Sequence, residues 1–214
     1  MDPLRSDVRS ELASLAAQLI ADSGLDYQSA KRKAARQVFR DGYVNAAMLP
    51  DNQEIDQSLL EHLELFDLEH DLRVARYRGA ALHWMEQLDE FNPYLAGAVW
   101  KGIVAAHAPI HLQVFTDEAK ELEIRLLNQG IKFDVSEIAH FAGRSHVPAL
   151  TFYWEHDLPI LVSVYRYDDL RGALRRQKTA GGTARAERGN LAAVRELLAA
   201  GSGNAAPLKE SEPP

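Results

Sequence analysis

The sequence predicts an α/β (α+β) fold in which a helical N-terminal part packs on a small mixed sheet. Three observations carry the prediction. Apolar residues recur at helical spacing up to about residue 90. From Pro109 the period becomes two, with Ile110, Leu112 and Val114 alternating against His111 and Gln113. Between these stretches, Pro93-Tyr94-Leu95-Ala96 runs into the small-residue turn Gly97-Ala98, and Gly102 follows. The implied division is 1–90 helical, 91–178 mixed-sheet core, and 179–214 a C-terminal helix with a disordered tail.

Leu4, Val8, Leu12, Leu15, Leu19 and Ile20 mark the first helix, and Gly24 stops it. Asp26 is the expected N-cap of a second helix over Tyr27 to Phe39, whose outer face carries Lys31, Arg32, Lys33 and Arg36. After Pro50, Asp51 and Glu54 have capping-box spacing, and Ile55, Leu59, Leu60, Leu63 and Phe66 form the apolar face of a third helix. A fourth is expected from about Glu69 to Glu90, ended by Phe91-Asn92-Pro93. The carboxylates from Asp51 to Asp71 scatter around their helices and read as a solvated acidic surface.

In the second half, Thr116 is expected to cap a helix whose first turn holds Asp117 and Glu118, with Leu122, Leu126 and Leu127 facing the core and Gly130 closing it. Ile131, Phe133 and Val135 alternate as a strand. Ala149 to Trp154 and Pro159 to Tyr165 flank Glu155-His156-Asp157 as a hairpin. A short polar helix opens at Asp168. Thr179 to Gly189, rich in Gly, Ala and Thr, reads as mobile, and Leu191 to Leu198 is a last amphipathic helix.

Composition narrows the chemistry. The chain has 214 residues, 46% of them apolar, enough for a real core. It has no cysteine, which removes disulfides, thiolate zinc sites and cysteine nucleophiles. The polar, acidic start Met1 to Asp7 lacks the pattern of a secretory signal, and no apolar run is long enough to span a bilayer, so the expectation is a cytoplasmic protein with no membrane association. The net charge of −7 disfavours indiscriminate nucleic-acid binding.

Gly97-Ala98 followed by Ile110-His111-Leu112-Gln113 resembles the nucleotidyltransferase superfamily whose reference member is DNA polymerase beta. The order of elements from about Glu69 to Tyr165 is similar to that family's: strand, Gly-Ser turn into a short helix, a second strand bearing Asp-x-Asp, and a later strand with a third carboxylate. The resemblance implies a small mixed sheet of nucleotidyltransferase type. It also implies a site in which two carboxylates on one strand face bind magnesium ions that neutralise a triphosphate. On this chain Ala98 stands at the serine position, and His111 and Gln113 stand at the two aspartate positions. Val162 and Ser163, on the candidate third strand, offer no carboxylate.

The expectation is therefore a nucleotidyltransferase-like, catalytically degenerate protein that binds a nucleotide, phosphate or macromolecular partner. The binding residues would be Gly97, Ala98, Lys101, Gly102, His111 and Gln113, with Arg144-Ser145 as further candidates. No catalytic residue, resident cofactor or metal is assigned; magnesium with nucleotide is expected only if the site is active, and an enzyme would be a nucleotidyltransferase.

Other readings compete. The apolar helices Leu4 to Ile20 and Ile55 to Phe66 suit a module that forms a homo-oligomer or docks a protein partner. The basic segment Arg166 to Arg188 suits nucleic acid, but a solvated helix and loop is the favoured reading. His107, His111, His140 and His146 lack helical metal spacing and read as ordinary loop and surface histidines. The chain also resembles short proteobacterial proteins sometimes labelled UDP-N-acetylmuramate–alanine ligase. Such a ligase needs three domains and an ATP-binding loop, and Gly181-Gly182-Thr183 is not a P-loop, so the label is read as a transferred name.

Overall fold

Alanine decides how the first three helices meet. The computed structural model describes residues 3–39, 48–106, 108–174, 177–178 and 184–202, and the chain divides into two compact units. The first comprises Met1–Val74 and Gly102–Ala108. Its helices are α1 (Pro3–Ser23), α2 (Tyr27–Phe39) and α3 (Asn52–Phe66). The buried seam of α1 is Leu12, Ala13, Ala16, Ala17 and Ile20, facing Ala30, Ala34 and Ala35 of α2 and Ile55, Leu59 and Leu63 of α3. Leu15 and Leu19 are only partly buried and lie at the edge of that seam.

Both expected caps form. Asp26 Oδ1 accepts from the amides of Gln28 and Ser29, at 2.9 and 3.0 Å. Asp51 accepts from Gln53 and Glu54, while the Glu54 carboxylate accepts from the Asp51 amide at 2.7 Å. Arg9 Nε then binds Glu54 at 2.6 Å, tying α1 to the start of α3. The segment after Gly102 is anchored in the same unit, where Arg73 donates to Asp67 and to the Val104 carbonyl.

The second unit comprises Ala75–Lys101 and Pro109 onward. The fourth helix, α4 (His70–Gln87), is followed by a 3-10 turn over Asp89–Phe91, so it ends earlier than Glu90. Leu72 is 74% exposed, whereas Trp84, Met85 and Leu88 are buried. Trp84 packs edge-on against Phe152, with ring centroids 4.6 Å apart.

The sheet contains β1 (Tyr94–Ala96), β2 (Ile110–Phe115), β3 (Asp134–Ala139), β4 (His146–Trp154), β5 (Leu158–Tyr165) and β8 (Arg188–Gly189), in the order β3-β4-β5-β2-β1-β8. β2 runs parallel to β5, and the remaining pairs are antiparallel. Two-residue strands β6 (Gln177–Lys178) and β7 (Ala184–Arg185) pair separately. Helices α5 (Gly97–Lys101), α6 (Ala119–Asn128), α7 (Leu170–Ala173, preceded by a 3-10 turn over Tyr167–Asp169) and α8 (Leu191–Ser202) are the remaining helices among the described residues. The class is the expected one: a helical N-terminal part and a mixed α/β sheet. No helix among the described residues is long and apolar enough to cross a membrane.

Several elements differ from expectation. Thr116 does not cap α6. Its hydroxyl accepts from the Glu118 amide at 3.0 Å in a local turn, and the helix starts at Ala119, so Asp117 and Glu118 precede it. The strand expected at Ile131 begins at Asp134, because the chain is still leaving α6 through Gly130 (φ +73°) and the Ile131 amide bonds back to Leu126. β3 is an exposed edge strand, where period-two apolar patterning is weak. Arg188–Gly189, within the stretch read as mobile, forms an outer strand on β1. His107 and Gly181-Gly182-Thr183 lie outside the described residues.

Candidate functional site

β1, β2 and β5 bring the candidate residues together at the Gly97 turn. β1 pairs with β2 so that Ala96 faces His111 and Tyr94 faces Gln113, and β2 pairs with β5 so that Gln113 faces Ser163. Gly97 has φ +68°, a left-handed conformation that costs any other residue strain. This turns the chain from β1 into α5. Arg78 holds α5 by donating to the carbonyls of Val99 and Trp100, at 3.2 and 3.3 Å.

A cleft of about 490 Å³ opens beside this turn. Its floor is Gly97, His111 and Gln113, and its walls include Phe141, Arg144 and Arg188. His111 Nε2 and Ser163 Oγ form a hydrogen bond of 2.5 Å. Burial, helped by the positive charge of Arg188, lowers the His111 pKa to about 4, so the imidazole is neutral at physiological pH. Arg188 Nη1 donates to Gln113 Oε1 at 2.5 Å, and its guanidinium lies 4.7 Å from the centroid of the Phe141 ring. Burial disfavours the Arg188 charge, while Tyr165 and Glu187 favour it. Burial also raises the Tyr165 phenol, keeping it protonated.

Arg144, which lines the cleft, belongs to a small polar cluster behind it. The Asp169 carboxylate accepts from Arg144 Nη1 at 3.0 Å and lies 3.3 Å from His140 Nε2. His140 Nδ1 accepts from the Ala142 amide at 2.9 Å, so the ring proton of a neutral His140 sits on Nε2, toward Asp169. His140, read from sequence as a loop and surface residue, does lie in a loop but is only 5% exposed, its ring tilted against Phe141 and edge-on to Tyr165.

The strand carrying Arg188 is pinned. The Trp100 ring covers Gly189 so closely that a Cβ there would fall 2.1 Å from it. Trp100 Nε1 donates to the Ala186 carbonyl at 2.7 Å, and Lys101 Nζ lies 3.9 Å from Glu187.

The structure thus places Gly97, His111 and Gln113 in the cleft. Ala98 lies in α5, half-buried, and does not line it. Lys101 ends α5 and faces Glu187, while Gly102 (φ +76°) belongs to the first unit. Arg144 lines the cleft, whereas Ser145 is exposed and uses its carbonyl to hold the His140 amide. Sequence reading missed Ser163 and Phe141 as site residues and placed Arg188 in a solvated segment. Their partners lie too far along the chain for any spacing pattern to register.

The residues at the two aspartate positions do not fit a magnesium ion. Magnesium requires hard anionic oxygens in octahedral geometry. His111 offers a neutral nitrogen already bonded to Ser163, and the Gln113 oxygen is occupied by a cation. Among the described residues no group of three or more His, Cys, Asp or Glu is placed to hold a metal.

No family model matches the sequence. No curated protein matches it either, so the ligase label gains no support. A solved structure of Cid1, described as an RNA terminal uridylyl transferase, is similar at 13% identity and a TM-score of 0.33. The match covers 53% of this chain and 36% of that one, so this chain spans about a third of the structure it matches.

Proposed function

We propose that the chain is a nucleotidyltransferase-like protein that binds the phosphate portion of a nucleotide, or another phosphate-bearing ligand, at the Gly97 cleft, and does not carry out two-metal transfer. One observation carries this reading. A half-buried guanidinium, Arg188, lines the cleft beside the glycine turn, and the strand beneath it presents neutral His111 and Gln113. Arg suits phosphate because its planar fork matches two oxygens at once. With neither aspartate present, the charge stabilisation that metals give a transferring phosphoryl group has no protein cradle.

Isothermal titration with ATP, CTP, GTP and UTP, with and without magnesium, tests the reading. Micromolar to millimolar binding without label transfer is the expected result. Tight magnesium-dependent binding with transfer of label would instead show an active site with non-standard ligands.

A second reading, an interaction or oligomerisation module, rests on Leu65, Phe66, Leu68 and Leu72, which are 73, 74, 98 and 74% exposed. Apolar side chains grouped at the α3–α4 connection suit a partner surface. Light scattering after size exclusion tests it. A monomer at all concentrations, with no protein partner retained, rejects it.

A further inference from the structure

We propose that Arg188 is the built-in cation of the cleft, set against Gln113 at one of the two aspartate positions of the resembled family, so that a polyphosphate binds without metal. The inference rests on the function proposed above and assigns its ligand class: a polyphosphate chain, free or carried by a nucleoside.

The first support is position. Gln113 stands at the second aspartate position, and its side-chain oxygen is the atom Arg188 engages. An acceptor on that strand face is thus still matched to a cation, but the cation belongs to the protein.

The second is charge. Two carboxylates on β2 would form closed ion pairs with a guanidinium and leave nothing for a ligand. Here both are replaced by neutral groups, and His111 stays neutral beside Arg188. Of the nearby acids, Glu187 lines the cleft and favours the Arg188 charge, but its carboxylate also lies 3.9 Å from Lys101, and Asp169 pairs with Arg144. The residue that Arg188 touches, Gln113, carries no charge to cancel its own. Its Nε is buried without a hydrogen-bond partner among the described residues, so a ligand in the cleft would meet the outer guanidinium nitrogens.

The third is rigidity. β8 holds the Arg188 backbone against Ala96, Phe141 supports the guanidinium, and Trp100 locks the neighbouring Gly189. A preorganised cation loses little side-chain freedom when an anion arrives.

The experiment uses the full chain and three probes, UTP, ATP and inorganic tripolyphosphate, titrated calorimetrically in EDTA and again in excess magnesium. Binding in EDTA is expected to equal or exceed that in magnesium, since magnesium consumes ligand charge. Arg188→Gln should weaken it at least tenfold. Gln113→Glu leaves Arg188 and its bond in place but sets a carboxylate against the guanidinium; it should weaken binding comparably, and it decides the matter if Arg188→Gln does not fold. Tripolyphosphate binding as tightly as the nucleotides supports the proposal and identifies the phosphate chain as the recognised part. Binding that requires magnesium, or that both variants leave unchanged, overturns this inference and leaves the proposed function standing. Absence of binding by every probe in both conditions overturns the proposed function, and this inference with it.

Discussion

Arg188 Nη1 and Gln113 Oε1 lie 2.5 Å apart although 75 positions separate the two residues in the chain. The contact joins the outermost strand of the sheet to an inner one across β1, so the cleft wall and the sheet edge stand or fall together. What pins β8 therefore controls what the cleft can hold.

Gly189→Ala should loosen that strand. The added Cβ would meet the Trp100 ring at 2.1 Å, and the ring cannot move without giving up its bond to Ala186. Overpacking of this kind costs about 1–3 kcal/mol. Urea denaturation should show the loss, and Trp fluorescence should shift as the indole is displaced. A variant as stable as the parent, with unchanged emission, would contradict the packing described.

His111 gives the stability a defined pH dependence. Its pKa is about 4 in the folded protein and near 6.5 when unfolded, so between these values the unfolded chain binds the extra proton. Its contribution is complete above pH 6.5, falls as the pH drops toward 4, and reaches a total change of about 3 kcal/mol at most. His111→Gln should flatten the denaturation midpoint across that window. The Asp67 carboxylate, held low by its hydrogen bond to Arg73, contributes only in the more acidic carboxylate range. An unchanged slope between pH 6.5 and 4 in the variant would refute the burial-driven shift.

Asp51→Ala removes the side chain that satisfies two amides at the start of α3. The expected loss is about 1 kcal/mol, seen as a lower urea midpoint at unchanged slope. Glu54→Gln keeps an acceptor for the Asp51 amide but gives up the ion pair with Arg9, so it should cost a similar amount and do so more at low salt.

The β4–β5 hairpin places Glu155 and His156 at φ +50° and +72°. Left-handed backbone is unfavourable for both, and glycine adopts it freely. His156→Gly should raise the melting midpoint, by about 0.5–1 kcal/mol in stability, since native strain is relieved by more than the unfolded chain gains in freedom. A lowered midpoint would mean that the His156 side chain makes a contact worth more than the strain.

Local chemistry was the legible part of this protein. Asp26 and Asp51 announce helix starts because their side chains reach amides two and three residues ahead, and Glu155-His156-Asp157 announces a turn between two apolar runs. Gly97 and the alternation at Ile110 to Val114 likewise marked the turn after β1 and the strand β2, while the short helix α5 was implied only by the family resemblance. Errors arose where a local signal had two outcomes. Thr116 could cap a helix or close a small turn, and the exposed edge strand β3 had no buried face to fix its start.

The amino-acid order alone marked the main helices and the inner strands, and put His111 and Gln113 on one face, since these follow from interactions a few residues long; it read β8 as mobile and started β3 too early. Only the folded chain decided what stands opposite them. Ser163, Phe141 and Arg188 come from separate strands and loops, and long-range packing places them within bonding distance of that face. A guanidinium read from its neighbours as solvated is thereby half-buried, because burial is a property of the assembled sheet and not of the segment that supplies the side chain.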